Sequence, residues 1–186
     1  MSRLSIFPDQ SKTIRGETPR PHRICIDPDS IHRELVARGI TFEHWPTRRS
    51  LTRGADEAEI LSVYADEINR IQTTEGYVTV DAIRIHPDHP ERTALRSKFL
   101  AEHIHSENEV RFFVEGQGLF CLHINEEVLL VLCEQGDLIR VPAGTRHWFD
   151  MGSAPSFCAL RFFNNSAGWG ARFTGNPIAD RYPRID

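Results

Sequence analysis

From about residue 99 onward the chain is cut into short pieces by turn-forming clusters. These are Gly116-Gln117-Gly118, Asn125-Glu126-Glu127, Gln135-Gly136-Asp137, Pro142-Ala143-Gly144 and Gly152-Ser153. The runs between them are too short for helices of ordinary length, and turn signals at this spacing mark consecutive antiparallel strands. Strands of this kind bury one another in a sandwich or a small barrel. The first half of the chain reads differently. Asp27 is a good N-cap and Pro28 suits the first helical position. Ile31 and Leu35 then share a face, and Gly39 can end the helix in the left-handed conformation. Residues 40–45 read as a strand. A second helix is expected over about Ala55 to Gln72, with Ile60, Tyr64, Ile68 and Ile71 at helical spacing and Gly76 as its stop. Residues 77–85 read as a strand, after which Pro87 and Pro90 break the pattern. One domain spanning 1–186 accounts for this order. It comprises an irregular arm or short edge strand over 1–23, helices and flanking strands over 24–98, a β-rich core over 99–175 and a tail over 176–186. The expected fold is mainly β with N-terminal helices packed outside a small antiparallel barrel.

Composition excludes several classes. The net charge is -4 and no basic stripe is present, so a nucleic-acid partner is not expected. Cys25, Cys121, Cys133 and Cys158 are widely spaced and contain no C-x-x-C pair, so they read as buried free thiols in a reducing compartment. Neither a secretory leader nor a bilayer-length apolar run is visible, and a cytoplasmic, membrane-free monomer is the expectation.

The densest chemical signal is Glu102-His103-Ile104-His105-Ser106-Glu107-Asn108-Glu109-Val110-Arg111. Residues two apart on a strand point the same way, so His103 and His105 can aim two imidazoles at one point. A bend after His105 can return Glu109 to that point. Two nitrogens and a carboxylate oxygen suit Fe(II), Ni(II), Mn(II) or Zn(II) better than Mg or Ca. A second run, from Gly136-Asp137 through Pro142-Ala143-Gly144 to His147, places turns on both sides of a short strand and a histidine at the start of the next. A barrel can bring His147 opposite the first group, leaving room on the metal for a bidentate substrate. Each half alone also fits a bland reading, such as an alternating polar strand face, a solvated Glu109 or a packed His147 beside Trp148. His86 and His89 lie between prolines and are assigned no metal, and His123 reads as structural.

Taken together, the joint pattern resembles the two motifs of the cupin superfamily, with its jelly-roll β-barrel. Ser97 and Met151 depart from it at positions where the superfamily often has Gly and Asn. The residues around the motifs are similar to the acireductone dioxygenase family. They include Lys98-Phe-Leu-Ala-Glu-His-Ile-His105, Glu109-Val-Arg-Phe-Phe-Val-Glu-Gly116, Val141-Pro-Ala-Gly-Thr145, His147-Trp-Phe-Asp150, Phe42-Glu-His-Trp45 and Phe173-Thr-Gly175. The resemblance implies one Fe(II) or Ni(II) per chain on His103, His105, Glu109 and His147. The substrates would be a small-molecule acireductone with a methylthio tail, from methionine salvage, and O2. The Fe(II) form would yield the 2-keto acid precursor of methionine and formate. The Ni(II) form would yield methylthiopropionate, carbon monoxide and formate. Arg111 matches the position that generates the substrate dianion, with Arg161 a weaker candidate for the same role. Phe99, Phe149 and Trp169 are candidates for the wall around the tail. Glu102 is expected to assist metal incorporation and Asn108, where the family often has Asp, to relay conformational change. Two other readings stay open on the sequence: another cupin oxygenase, and a non-catalytic cupin that binds a small ligand.

Overall fold

The computed structural model describes residues 1–9, 19–45, 47, 49–165 and 170–185. In chain order the elements are β1 (Arg3–Pro8), β2 (Arg23–Cys25), α1 (Pro28–Val36), β3 (Thr41–His44), α2 (Glu57–Val63), α3 (Ala65–Glu75), β4 (Thr79–Ile85), α4 (Arg92–Leu100), β5 (His103–Ile104), β6 (Glu109–Ile124), β7 (Glu127–Glu134), β8 (Asp137–Val141), β9 (Arg146–Asp150), β10 (Phe157–Phe163) and β11 (Arg172–Phe173), then a 3-10 turn over Pro177–Arg181. Among the described residues, no helix is long and apolar enough to cross a membrane.

Every strand pairing is antiparallel, and β6 organises them. Its C-terminal half lies between β7 and β9 in a leaf ordered β11-β5-β9-β6-β7-β1-β2. Its N-terminal half lies between β10 and β8 in a second leaf ordered β4-β10-β6-β8-β3. The two leaves face each other as a jelly-roll sandwich, joined through β6, and the sheet does not close into the barrel expected from the turn spacing. Closure is absent because one long bent strand, and no second one, passes from leaf to leaf among the described residues.

The bend sits at Gly116–Gly118. Gly116 has φ 66°, and a Cβ there would lie 1.8 Å from the Ser156 carbonyl oxygen. Just before it, a bulge at Val114 in the pairing with β10 changes the parity of the inward-facing positions. Phe113 faces the space between the leaves, whereas beyond the bend Phe120 and Leu122 do. There they pack with Leu4, Ile6, Leu129, Val131, Ile139 and Phe149. On the outer face of the second leaf, Val110, Phe112, Leu160 and Phe162 are covered by Ile60, Tyr64, Ile68 and Ile71 of the helices. Outside the first leaf, Cys121 and Trp148 are covered by Ile178, Ala179 and Tyr182 from the C-terminal segment. β6 is therefore buried on both sides, which explains its nearly continuous apolar run.

Local signals account for the helices. Asp27 accepts a hydrogen bond from the Ser30 amide at 2.8 Å, and Ile31 and Leu35 are buried one turn apart. Gly76 ends α3 with φ 76°. The single helix expected over 55–72 is broken at Tyr64. Its fully buried ring meets Phe112 edge-on, and its hydroxyl reaches the Val114 carbonyl at 3.3 Å, so the chain turns there to keep both halves on the leaf. The expected irregular arm contains β1, an interior strand paired with β7 on one side and β2 on the other. Leu4 and Ile6 supply the reason, since both are fully buried between the leaves. The four cysteines are buried and free.

Candidate metal centre and active site

The centre forms where β5, β6 and β9 meet. β9 pairs with β5 through His103↔His147 and with β6 through Leu122↔His147, so the two histidines are direct cross-strand neighbours. His105 follows β5, and Glu109 opens β6 after the bend between them. The three imidazole rings have centroids 4.4–5.1 Å apart. Their nitrogen donors all lie within 4.8 Å of one another, a group able to hold a metal ion. The Glu109 Oε2 atom is 2.7 Å from His147 Nε2 and 3.5 Å from His105 Nε2.

The backbone fixes all three tautomers. Nδ1–H of His103 donates to the Ala101 carbonyl at 2.7 Å, that of His105 to Gly170 at 3.0 Å and that of His147 to Thr145 at 2.8 Å. With Nδ1 as donor, each Nε2 lone pair is left for the centre. Burial, aided by His147 beside it, pushes His103 down to about 4 and keeps it a neutral ligand. Burial also pulls His105 down, but contact with Glu109 outweighs it and leaves this residue raised. Burial would raise Glu109. Instead the Arg111 cation and His147 hold it well below the usual carboxylate range. Glu109 Oε2 and His147 Nε2 are buried close together, yet neither makes a hydrogen bond of good geometry among the described residues. A divalent cation held by the three imidazoles, with Glu109 Oε2 close to two of them, would satisfy both atoms, so the donor set fits a metal on structural grounds.

Beside this centre lies a cavity of about 140 Å³. Arg111 reaches it from β6 and donates from Nε to Glu109 Oε1 at 2.7 Å, with its guanidinium over the Phe149 and Phe120 rings at 4.9 and 5.2 Å. Burial pushes the guanidinium down, opposed by Glu109. Cation, carboxylate and aromatic faces thus surround a small space.

The model of the ARD/ARD' family matches residues 28–171. The chain is 64% identical to an acireductone dioxygenase of Parasynechococcus marenigrum (strain WH8102) and 62% identical to one of Synechococcus sp. (strain CC9902), each over the full length of both chains. The chain belongs to the ARD/ARD' family. Its fold also matches the solved acireductone dioxygenase of Bacillus anthracis, which has a cadmium ion in its active centre. The TM-score is 0.74 at 28% identity, covering 93% of this chain and 98% of that one.

Other residues singled out by the family pattern are distributed around the centre. Phe149 and Phe99 line the cavity with ring centroids 6.4 Å apart. Trp169 lies outside the described residues. Arg161 stands opposite Arg111 in the β6–β10 ladder, but its guanidinium is held by both Asp81 oxygens at 2.8 and 2.6 Å. Asn108 accepts from the Ala143 amide at 3.0 Å, and the Gly144 amide donates to the His105 carbonyl at 2.9 Å, so the two motif loops are tied together. Glu102 points away from the centre and is buried against His123. Three cavity residues were not singled out beforehand as site residues, Lys98, Ala171 and Phe173. The Phe173 ring lies 5.7 Å from that of His103. No periodicity signals it, because β11 is only two residues long.

Proposed function

We propose that the chain is a metal-dependent acireductone dioxygenase that binds one Fe(II) or Ni(II) on His103, His105, Glu109 and His147. The observation that carries this reading is a group of three imidazoles, each held by a backbone carbonyl on its far nitrogen, two of which face a buried carboxylate oxygen that lacks a hydrogen bond among the described residues. The cadmium in the centre of the Bacillus anthracis relative supports a divalent ion here too. A metal held by His103, His105, Glu109 and His147 would supply Lewis acidity and redox capacity toward the enediol.

The protein's own groups do the rest. Arg111 places a permanent cation at the cavity wall, where it stabilises the doubly deprotonated enediol. Glu109 keeps Arg111 oriented through Nε. Arg161 contributes less to this field because Asp81 neutralises it. Phe99 and Phe149 exclude water and offer aromatic edges to the methylthio sulfur. Trp169 is assigned to the same wall from the family pattern. The substrate is 1,2-dihydroxy-3-keto-5-methylthiopentene. With Fe(II), O2 adds both its atoms to give 4-methylthio-2-oxobutanoate and formate. With Ni(II) the same atoms leave as 3-methylthiopropanoate, carbon monoxide and formate.

The test strips the protein and reloads it with each metal. Oxygen uptake, headspace gas and product chromatography are then read at measured metal content. Carbon monoxide from the Ni(II) form alone is the expected result. Identical products from two verified metal forms would refute the metal-dependent split, and no oxygen uptake from either would refute the activity.

A further inference from the structure

Behind the metal-facing side of β5 lies a second, closed set of charged groups. Glu102 precedes His103, so strand alternation sends its carboxylate to the opposite face, where the side chain is 0% exposed. His123 Nδ1 faces Glu102 Oε1 at 2.7 Å, and its other ring nitrogen lies 3.3 Å from Asp9 Oδ2. The Thr174 hydroxyl donates to Glu102 Oε2, and the Thr174 amide donates to the Glu102 carbonyl at 3.0 Å. One buried carboxylate thus ties β5 to β6, to the residue after β11 and, through His123, to the end of β1.

The strands it ties are otherwise weakly held. β5 and β11 are two residues each, too short for a ladder to fix their position alone. Yet β5 carries His103, and β11 carries Phe173 directly opposite it in the pairing. Phe173 lines both the metal cavity and a neighbouring cavity of about 440 Å³ between α4 and the C-terminal segment. Where Phe173 stands therefore decides how far the metal cavity extends along a substrate tail. Charge-assisted hydrogen bonds in a buried setting are strong enough to set such positions.

We infer that His123 is a positioning residue for the reaction. Held between Asp9 and Glu102, it fixes the strand that carries His103 and, through Thr174, the Phe173 ring that bounds the tail. This rests on the metal-centre reading above.

The experiment measures two things on whole protein: the Ni(II) affinity of the metal-stripped form by calorimetry, and kcat and KM of the loaded form with the full methylthio tail and with a truncated tail. His123→Leu should weaken Ni(II) binding about 10–100-fold, the range for losing a hydrogen bond that supports a ligand. His123→Asn, which can still donate to Glu102, should recover to within about threefold of wild type. Thr174→Val should leave Ni(II) affinity within about threefold and raise KM several-fold for the full tail only, with kcat kept, since one hydroxyl bond is removed. A folded His123→Leu protein with wild-type affinity and wild-type tail preference would overturn the inference. Should His123→Leu fail to fold, Asp9→Asn takes its place: a threefold or larger loss of Ni(II) affinity supports the inference, and wild-type values overturn it. Failure of the wild-type protein itself to bind Ni(II) would overturn the metal-centre reading and this inference with it.

Discussion

Replacing Arg111 by methionine isolates the cation from the packing. A methionine keeps an unbranched apolar stem against Phe120 and Phe149, so the aromatic contacts survive while the charge is lost. Two magnitudes follow from the geometry. Removing one oriented stabilising group from a water-excluded site costs about 10²–10³ in turnover, or about 2.7–4 kcal/mol. Part of the Arg111 fork is already committed to Glu109 at 2.7 Å, so the lower end, about 10²-fold, is expected. The second effect is on stability. Glu109 is buried, and stripping a buried charge of its partner costs about 3–5 kcal/mol when nothing replaces it. A bound metal would replace it. The metal-free variant should therefore lose much more stability than the metal-loaded one, and metal binding should raise its Tm more than it raises that of wild type. The assay is oxygen uptake at equal metal content, with substrate spectra to follow the dianion and calorimetry on both forms. Turnover within about twofold of wild type, with a normal dianion spectrum, would refute the electrostatic role, since one group of this kind is worth far more. An equal Tm loss in both forms would refute the account of Glu109.

Three further outcomes are expected. His103→Ala or His147→Ala should abolish turnover and sharply lower bound metal, measured by elemental analysis; near-normal metal content would remove these residues from the centre. Asn108→Asp should leave turnover within about twofold, because the bond from the Ala143 amide uses only an acceptor oxygen, whereas Asn108→Ala should lower both stability and turnover. The metal-free protein should lose stability as pH falls from about 6.5 toward 4, because the unfolded chain protonates His103 over that range while the folded chain, with this group pushed down to about 4, resists. Urea midpoints against pH should show a smaller loss in His103→Gln, and parallel curves would count against that assignment.

The parts of the fold legible in the sequence are those set by short-range rules. Strand alternation put His103 and His105 on one side, and turn residues around β8 placed His147 at a strand start. The N-cap at Asp27 and the stop at Gly76 are local chemistry, and both hold in the structure. What failed to show depends on the rest of the molecule. The break at Tyr64 exists because a distant ring, Phe112, receives that side chain. β1 is interior because β7 pairs with it from more than 100 residues away in the chain. α4 has an apolar pattern too weak to announce itself, with none of its residues fully buried. His123 and Glu102 are 21 residues apart, a separation that belongs to no motif. That Phe173 would line the cavity could not be read from a two-residue strand.

The parity change within β6 has an evolutionary consequence. Upstream of Gly116 the odd-numbered residues Glu109, Arg111 and Phe113 face inward, and downstream of Gly118 the even-numbered Phe120 and Leu122 do. A β-bulge at Val114, where the β6 partners of Ala159 and Cys158 step from Phe113 to Glu115, is where the two phases are matched, so it behaves as a fixed-length splice. Losing or gaining one residue there would turn one half of the strand inside out, exchanging Phe120 and Leu122 for Leu119 and Cys121 between the leaves or else rotating Glu109 and Arg111 out of the cavity. Drift by single-residue insertion or deletion is therefore closed to this segment, even where its individual side chains can be exchanged. Length variation in a lineage carrying this fold must accumulate elsewhere, in the connections that lie outside the shared strand.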